Sequence, residues 1–350
     1  MIATRFMELR KRRGLMIALI TVNIGLPTVF LTVRLVAHAV APKSFGPAGG
    51  NDIFTNLVAG VMYVFGFIVA ATLGCAAGSV DLTEGMFRHL VVTGRSRLAL
   101  YLARIPAGLA VVVPLVAIGF TIVCTVCVAA APTKLNLDGV IVPAGLSRSG
   151  FVTWAGDHPV VVICDLPGPV PPNLACPGGP NGGPTVGSVP SGGSGQISPA
   201  LLKALAIRNA EQIYPAYAAT FLSPSNSLMI YSGLWIELEA VIGFIVGLGL
   251  ASLMGQRTVP VVLLIVLELI LTPIFSTNVI PHVINLQRGV VGLAMAHLEP
   301  GGLPLAFGGS SRGGISQLVP ESTAVAACVI VAWLVGWTVL GAWRMMTRDA

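Results

Sequence analysis

Six runs of this chain each hold about twenty or more mostly apolar residues, and that feature limits the open folds more than any other. They are roughly Leu15–Val40, Ile53–Gly78, Leu98–Ala130, Leu228–Met254, Val259–Thr277 and Thr323–Trp343. An α-helix needs about 20 apolar residues to cross a bilayer core, at about 1.5 Å of rise per residue. Charged residues make up only 10% of the chain and hydrophobic residues 55%, whereas a soluble domain carries roughly 25% charged residues. The expected fold class is therefore an all-α integral membrane protein with six transmembrane helices, an amphipathic cytoplasmic helix and a small external α+β insertion.

Orientation follows from the cations, because short cytoplasmic loops collect Lys and Arg. With the N-terminus inside, the inner segments hold Arg5, Arg10, Lys11, Arg12, Arg13, Arg88, Arg95, Arg97, Arg104, Arg257, Arg344 and Arg348. The longer outer loops hold seven cations, balanced by seven acids. Both termini are expected in the cytoplasm. The net charge of +6 forms no basic stripe interleaved with aromatics, so nucleic acid is not an expected partner, while membrane lipid is. Residues 1–14 read as a basic amphipathic helix on the inner membrane surface. RFMELRKRR and the apolar run ending in Ala37-His38-Ala39 resemble a secretory signal. The run is about twice the usual length of about 7–15 residues and is interrupted by Arg34, so it is expected to stay as the first span.

Residues 15–130 thus carry spans one to three. Residues 131–227 form an insertion whose centre, DLPGPVPPNLACPGGPNGGPTVGSVPSGGSGQ, is too rich in Pro, Gly and Ser for regular structure. Upstream, FVTW and VVVIC read as short strands; downstream, Pro199 to Tyr217 has helical spacing. Cys164 and Cys176 fall in this outer loop and are expected to pair as a disulfide. A metal site from His158, Cys164, Asp165 and Cys176 lacks a recognised ligand spacing, and no metal is expected. Gly192-Gly193-Ser194-Gly195 matches an intramembrane protease motif by composition alone. Residues 228–350 carry the last three spans, with an external re-entrant segment at 278–322.

Four ionisable residues fall inside spans: Arg34 in the first, Glu237 and Glu239 in the fourth, and Glu268 in the fifth. A charge at mid-bilayer costs about 2.5–3.5 kcal/mol on insertion scales, so each is expected to face the protein and find a partner. Arg34 and Glu237 reach comparable depth. The expectation is an interhelical ion pair of Arg34 with Glu237 or Glu239, or else a polar lining for a translocation path. Glu237 and Glu239, two residues apart, point to different faces.

The stretch DLTEGMFRHLVVTGRSR, Asp81–Arg97, lies between the second and third spans. Asp81 followed by Glu84 has capping-box spacing, Gly94 supplies a stop, and Arg95 and Arg97 suit a helix C-terminus. Leu82, Met86, Phe87, Leu90 and Val91 make one apolar face. An amphipathic helix over 81–94 is expected, either resting on headgroups or serving as a docking element for a cytoplasmic partner.

The longer run Gly78–Gly108, with Glu84-Gly85, the apolar Leu90–Val92, the turn Thr93–Arg97 and Arg104, resembles the second-to-third-span region of bacterial type-2 ATP-binding-cassette (ABC) transporter permeases. Six spans and an amphipathic N-terminal helix extend the resemblance, and Val279–Leu298 is positioned like that family's external elements between the last two spans. The large outer insertion departs from it. The resemblance implies a permease subunit in the bacterial plasma membrane, an exporter by expectation, paired with a second permease copy and coupled to separate ABC ATPase subunits. Asp81, Glu84, Met86, Phe87, Arg88, Leu90, Arg95 and Arg97 would then form the coupling surface. The chain lacks the G-x-x-x-x-G-K-[ST] loop, so ATP and Mg are expected on the partner, with no cofactor and no catalytic residue in this chain. Two other classes stay open: a membrane receptor or scaffold that binds through its external domain, and a membrane enzyme. The scattered histidines 38, 89, 158, 282 and 297 argue against the enzyme.

Overall fold

The computed structural model describes residues 2–41, 45, 47–83, 96–132, 134–137, 140–143, 145–164, 198–275, 284–301, 303, 319 and 321–347. Five helices among them are long and apolar enough to cross a membrane, and the chain is a multi-pass membrane protein. Its contacts divide it into two compact units. The first comprises Met1–Val36, Ile53–Val126 and Ser225–Ala350; the second comprises Ala37–Asp52 and Cys127–Pro224.

In chain order the elements begin with α1 (Ile2–Lys11) and α2 (Arg13–Val40). Helix α3 joins Asn51–Leu57, a π-helical turn Val58–Met62 and Tyr63–Thr83, and α4 runs Arg97–Ala129. Then come the strands β1 (Lys134–Leu137) and β2 (Val140–Pro143), and the helices α5 (Arg148–Asp157), α6 (Pro159–Cys164) and α7 (Pro199–Phe221). Helix α8 is Asn226–Met254, and α9 joins Thr258–Val266, a π-helical turn Leu267–Leu271 and Thr272–Phe275. The short α10 (Ile284–Gln287) and α11 (Val291–Ala296) precede α12 (Thr323–Thr347).

The five long helices match five expected spans to within a few residues, apart from the C-terminal ends of α3 and α12. The expected fifth span corresponds to α9, whose described part is about 27 Å long at the usual rise, slightly short of a bilayer core of about 30 Å. Its expected last residues, 276 and 277, lie outside the described residues.

Helix α8 is the centre of the first unit. It is buried along most of its length, whereas α2 and α12 leave rows of apolar side chains open, Val29 and Val33 at 62% exposure and Val335 and Val339 above 50%. Such rows suit lipid or another helix. Contact with α3 is made backbone to backbone. A Cβ placed on Gly78 would lie 2.6 Å from Leu248 O and one on Gly243 2.7 Å from Phe67 O; Gly74 and Gly247 approach Phe244 O and Ala71 O still more closely. Lipid gives helices little hydrophobic reason to associate, so small residues that let backbones meet carry the packing. Helix α8 then stops at Gly255, whose φ of 71° is left-handed and whose N–H donates to Ala251 O at 2.8 Å.

The second unit packs differently. Ser147 Oγ caps α5 by accepting from Gly150 N at 3.2 Å, and Ser198 Oγ caps α7 by accepting from Leu201 N at 3.2 Å. Phe151, Ala155, Val162, Ile163, Ala206 and Ala210 are fully buried together. Phe151 stacks on Tyr217 with ring centroids 4.2 Å apart; Tyr217 Oη donates to Pro143 O, and Tyr214 Oη donates to Leu146 O at 3.2 Å. Strands expected at FVTW and VVVIC are instead the helices α5 and α6. The Ser147 cap and Pro159 at a helix start set a helical path, and Phe151 and Ala155, one turn apart on α5, share its buried face. The described strands are β1 and β2, an antiparallel hairpin pairing Lys134 with Pro143 and Leu137 with Val140.

Candidate functional site

Four elements of the first unit meet at a buried acidic junction. Glu239 on α8 and Glu268 on α9 are each 1% exposed, and none of their four carboxylate oxygens has a hydrogen-bond partner among the described residues. The two lie within electrostatic range of each other. Together with Glu299 they also lie within range of Tyr63 on α3. Glu268 is carried by the π-helical turn of α9, where Thr272 N–H and Thr272 Oγ1 both turn back on Leu267 O. Such wide turns push a side chain out of helical register and recur at functional sites.

The wall opposite the acids is α11, buried over all of Val291–Ala296. Tyr63 stacks on Trp235 of α8, centroids 4.4 Å apart and planes 9° from parallel. Trp235 Nε1 donates to Met295 O at 2.9 Å, and Tyr63 Oη donates to Gly292 O at 3.4 Å. Gly292 is small for a reason: a Cβ there would sit 3.2 Å from Glu268 Oε2. The segment is pinned on both sides, since Gln287 Nε2 donates to Phe275 O at 2.6 Å and Gln287 Oε1 accepts from Val319 N at 3.2 Å. Trp333 Nε1 of α12 donates to Gly289 O at 2.8 Å, and His297 Nε2 lies 3.7 Å from Glu321 Oε2. Carboxyls with unused oxygens in an apolar wall can take a proton, a cation or a polar substrate group. No group of three or more His, Cys, Asp or Glu among the described residues is placed to hold a metal ion.

Glu237 and Glu239, the expected partners of Arg34, have no carboxylate hydrogen bond among the described residues. Glu239 turns inward to Tyr63 and Glu268, while α2 is the least buried of the five long helices but one. Glu237 is half-buried on another face of α8, in line with the two-residue spacing. Sequence reasoning missed Tyr63, Trp235 and Glu299. Trp235 and Glu239, four residues apart on one helix face, were the available signal.

The second sequence-predicted site is the Asp81–Arg97 stretch. Glu84, Met86, Phe87, Arg88, Leu90 and Arg95 lie outside the described residues. Asp81 is not at a helix start: α3 runs on through Thr83, so the capping role assigned to Asp81 does not hold. What is described is the base from which the stretch leaves. Arg104, 2% exposed, donates from Nη1 to Gly78 O at 3.1 Å, clamping the end of α3 to the start of α4. Arg97 Nη1 donates to Met346 O at 3.1 Å, engaging the last turn of α12, where a cation suits the helix dipole. Ser96 Oγ caps α4 by accepting from Ala99 N at 3.2 Å. Helix α1 closes the group: its Arg5 and Glu8, paired at 2.8 Å, and its buried Leu9 share a cleft with Ala77, Val80 and Arg104. The amphipathic N-terminal helix is thus seated on protein through one face.

Cys164 is disulfide-bonded, whereas Cys75, Cys124, Cys127 and Cys328 are in the thiol form. Cys176 lies outside the described residues. Comparison of the chain with family models, curated proteins and solved structures finds no match.

Proposed function

We propose that this chain is the membrane-spanning permease subunit of an ATP-binding-cassette exporter, oriented with both termini in the cytoplasm and working with separate ATPase subunits. The observation that carries the reading is the base of the Asp81–Arg97 stretch. Its two ends are tied by Arg104 to Gly78 O and by Arg97 to Met346 O, with α1 wedged beside them. A partner pressing on the stretch would push on α3, α4 and α12 at once, so work done outside the membrane reaches the helices. The resemblance of Gly78–Gly108 to the type-2 permeases supports the same assignment. The span that completes six is α9, fifth in chain order, and the buried acids Glu239 and Glu268 supply the polar groups that a translocation path needs.

The test is co-purification of the tagged chain from its own membranes. A Walker-type ATPase is expected with the wild-type chain and is expected to be depleted about tenfold by Phe87→Ala, a loss of about 1.4 kcal/mol. A wild-type preparation free of any nucleotide-binding subunit counts against the reading and favours a receptor or scaffold.

A further inference from the structure

A cavity of about 280 Å³ opens at the end of the first unit where α2 begins and α8 hands over to α9. Arginines reach it from two separate places, Arg12 and Arg13 from the break between α1 and α2, and Arg257 from the connection before α9. Among the described residues no acid lines it, and no ion pair engages Arg13 or Arg257. The backbone adds the same sign. Arg12 stands at the N-cap of α2 and makes no side-chain cap hydrogen bond, so the first amide groups of a 28-residue helix face this end uncapped. The remaining wall is apolar, from Leu15, Ala76 and Val261, and the hydroxyl of Thr72 is already given to Val69 O at 2.7 Å.

A basic rim above an apolar wall, at the level where spanning helices start and stop, matches one ligand chemistry. The arginines fit a phosphate; Leu15 and Val261 fit the hydrocarbon that follows it. At about 280 Å³ the cavity has room for a phosphate and the glycerol carbons it is esterified to. Basic pockets between membrane helices hold anionic headgroups by this arrangement. We infer that the cavity bounded by Arg12, Arg13 and Arg257 is a binding site for the phosphate of an anionic phospholipid, which ties the α1–α2 elbow to α9. The inference does not depend on the permease reading, and its test needs no ATPase.

The full chain is delipidated in neutral detergent and returned to phosphatidylcholine nanodiscs with or without phosphatidylglycerol, and native mass spectrometry counts the lipid it retains. One phosphatidylglycerol per chain is expected to survive on the wild type. The double variant Arg13→Gln with Arg257→Gln is expected to bind it about 30-fold more weakly, from about 1 kcal/mol per basic residue. Arg13→Lys with Arg257→Lys keeps the charge and retains the lipid, which separates loss of the site from loss of folding. Arg10→Gln, a cation outside the cavity, leaves retention unchanged. Retention lost equally in Arg10→Gln would mean a diffuse surface charge and overturn the site. Displacement of the lipid by millimolar inorganic phosphate would reassign it to a free anion. A wild-type chain that keeps no lipid also overturns it.

Discussion

Gly74 and Gly247 let α3 and α8 press backbone to backbone in the first unit, whereas Phe151 and Tyr217 fill the space between α5 and α7 in the second. The first unit leaves Val29, Val33 and Val335 open on its surface; the second carries Lys203 and Asp157 there, 3.9 Å apart and more than half exposed. One unit joins its helices through glycines, and the other through stacked aromatic rings. The difference teaches where the energy comes from. Close backbone approach supports the first, and burial and stacking of aromatic rings support the second.

The largest effect that tests this contrast is Phe151→Ala. Loss of a fully buried aromatic is expected to destabilise the second unit by about 3–5 kcal/mol, with the melting of the first unit unmoved. Hydrogen exchange in detergent reads both units at once, and equal loss in both would erase the contrast. Next is the disulfide at Cys164, expected to pair with Cys176. Cys164→Ser is expected to cost the second unit about 3 kcal/mol, and alkylation without reductant should leave both thiols protected in the wild type. In the first unit, Gly74→Leu forces α3 away from Phe244 O and is expected to cost about 2–3 kcal/mol in a detergent melt. Gly336→Ala, where a Cβ meets nothing within 4 Å, should be neutral or stabilising by up to about 1 kcal/mol. If both glycines tolerate change alike, close approach is not what holds the helices.

These regions were not equally legible in the sequence. The spans were legible because bilayer thickness fixes their length, and five expected spans agree with Arg13–Val40, Asn51–Val80, Arg97–Ala129, Asn226–Met254 and Thr323–Thr347 to within a few residues, apart from the C-terminal end of the last. FVTW and VVVIC misled because short β-branched and aromatic runs suit strand and helix alike; the deciding signals, Ser147 and Pro159, sit just upstream of each run. Ionisable residues inside spans marked Glu239 and Glu268, but equal depth does not say which way a side chain faces, so the partner expected was Arg34. The real neighbours, Tyr63 and Trp235, are joined to them through α11, a contact between positions more than fifty residues apart.

The smallest expected effect concerns that junction. Glu239→Gln removes one of the facing carboxyls of Glu239 and Glu268, which have no hydrogen-bond partner among the described residues, and is expected to stabilise the first unit by about 1 kcal/mol, because like groups no longer face each other in an apolar wall. Thermal unfolding in detergent measures it. A loss of stability of that size would mean that Glu239 holds a partner the fold needs.

The proposed role depends on whether the Asp81–Arg97 stretch, rooted by Arg104 and Arg97, passes work between an ATPase and the spanning helices. The most direct measurement is ATP hydrolysis by the purified complex in lipid, with the wild-type chain and with Glu84→Gln. Glu84→Gln is expected to assemble normally yet lower hydrolysis about tenfold, equivalent to about 1.4 kcal/mol of the barrier. Hydrolysis unaltered in Glu84→Gln and in Phe87→Ala would contradict it.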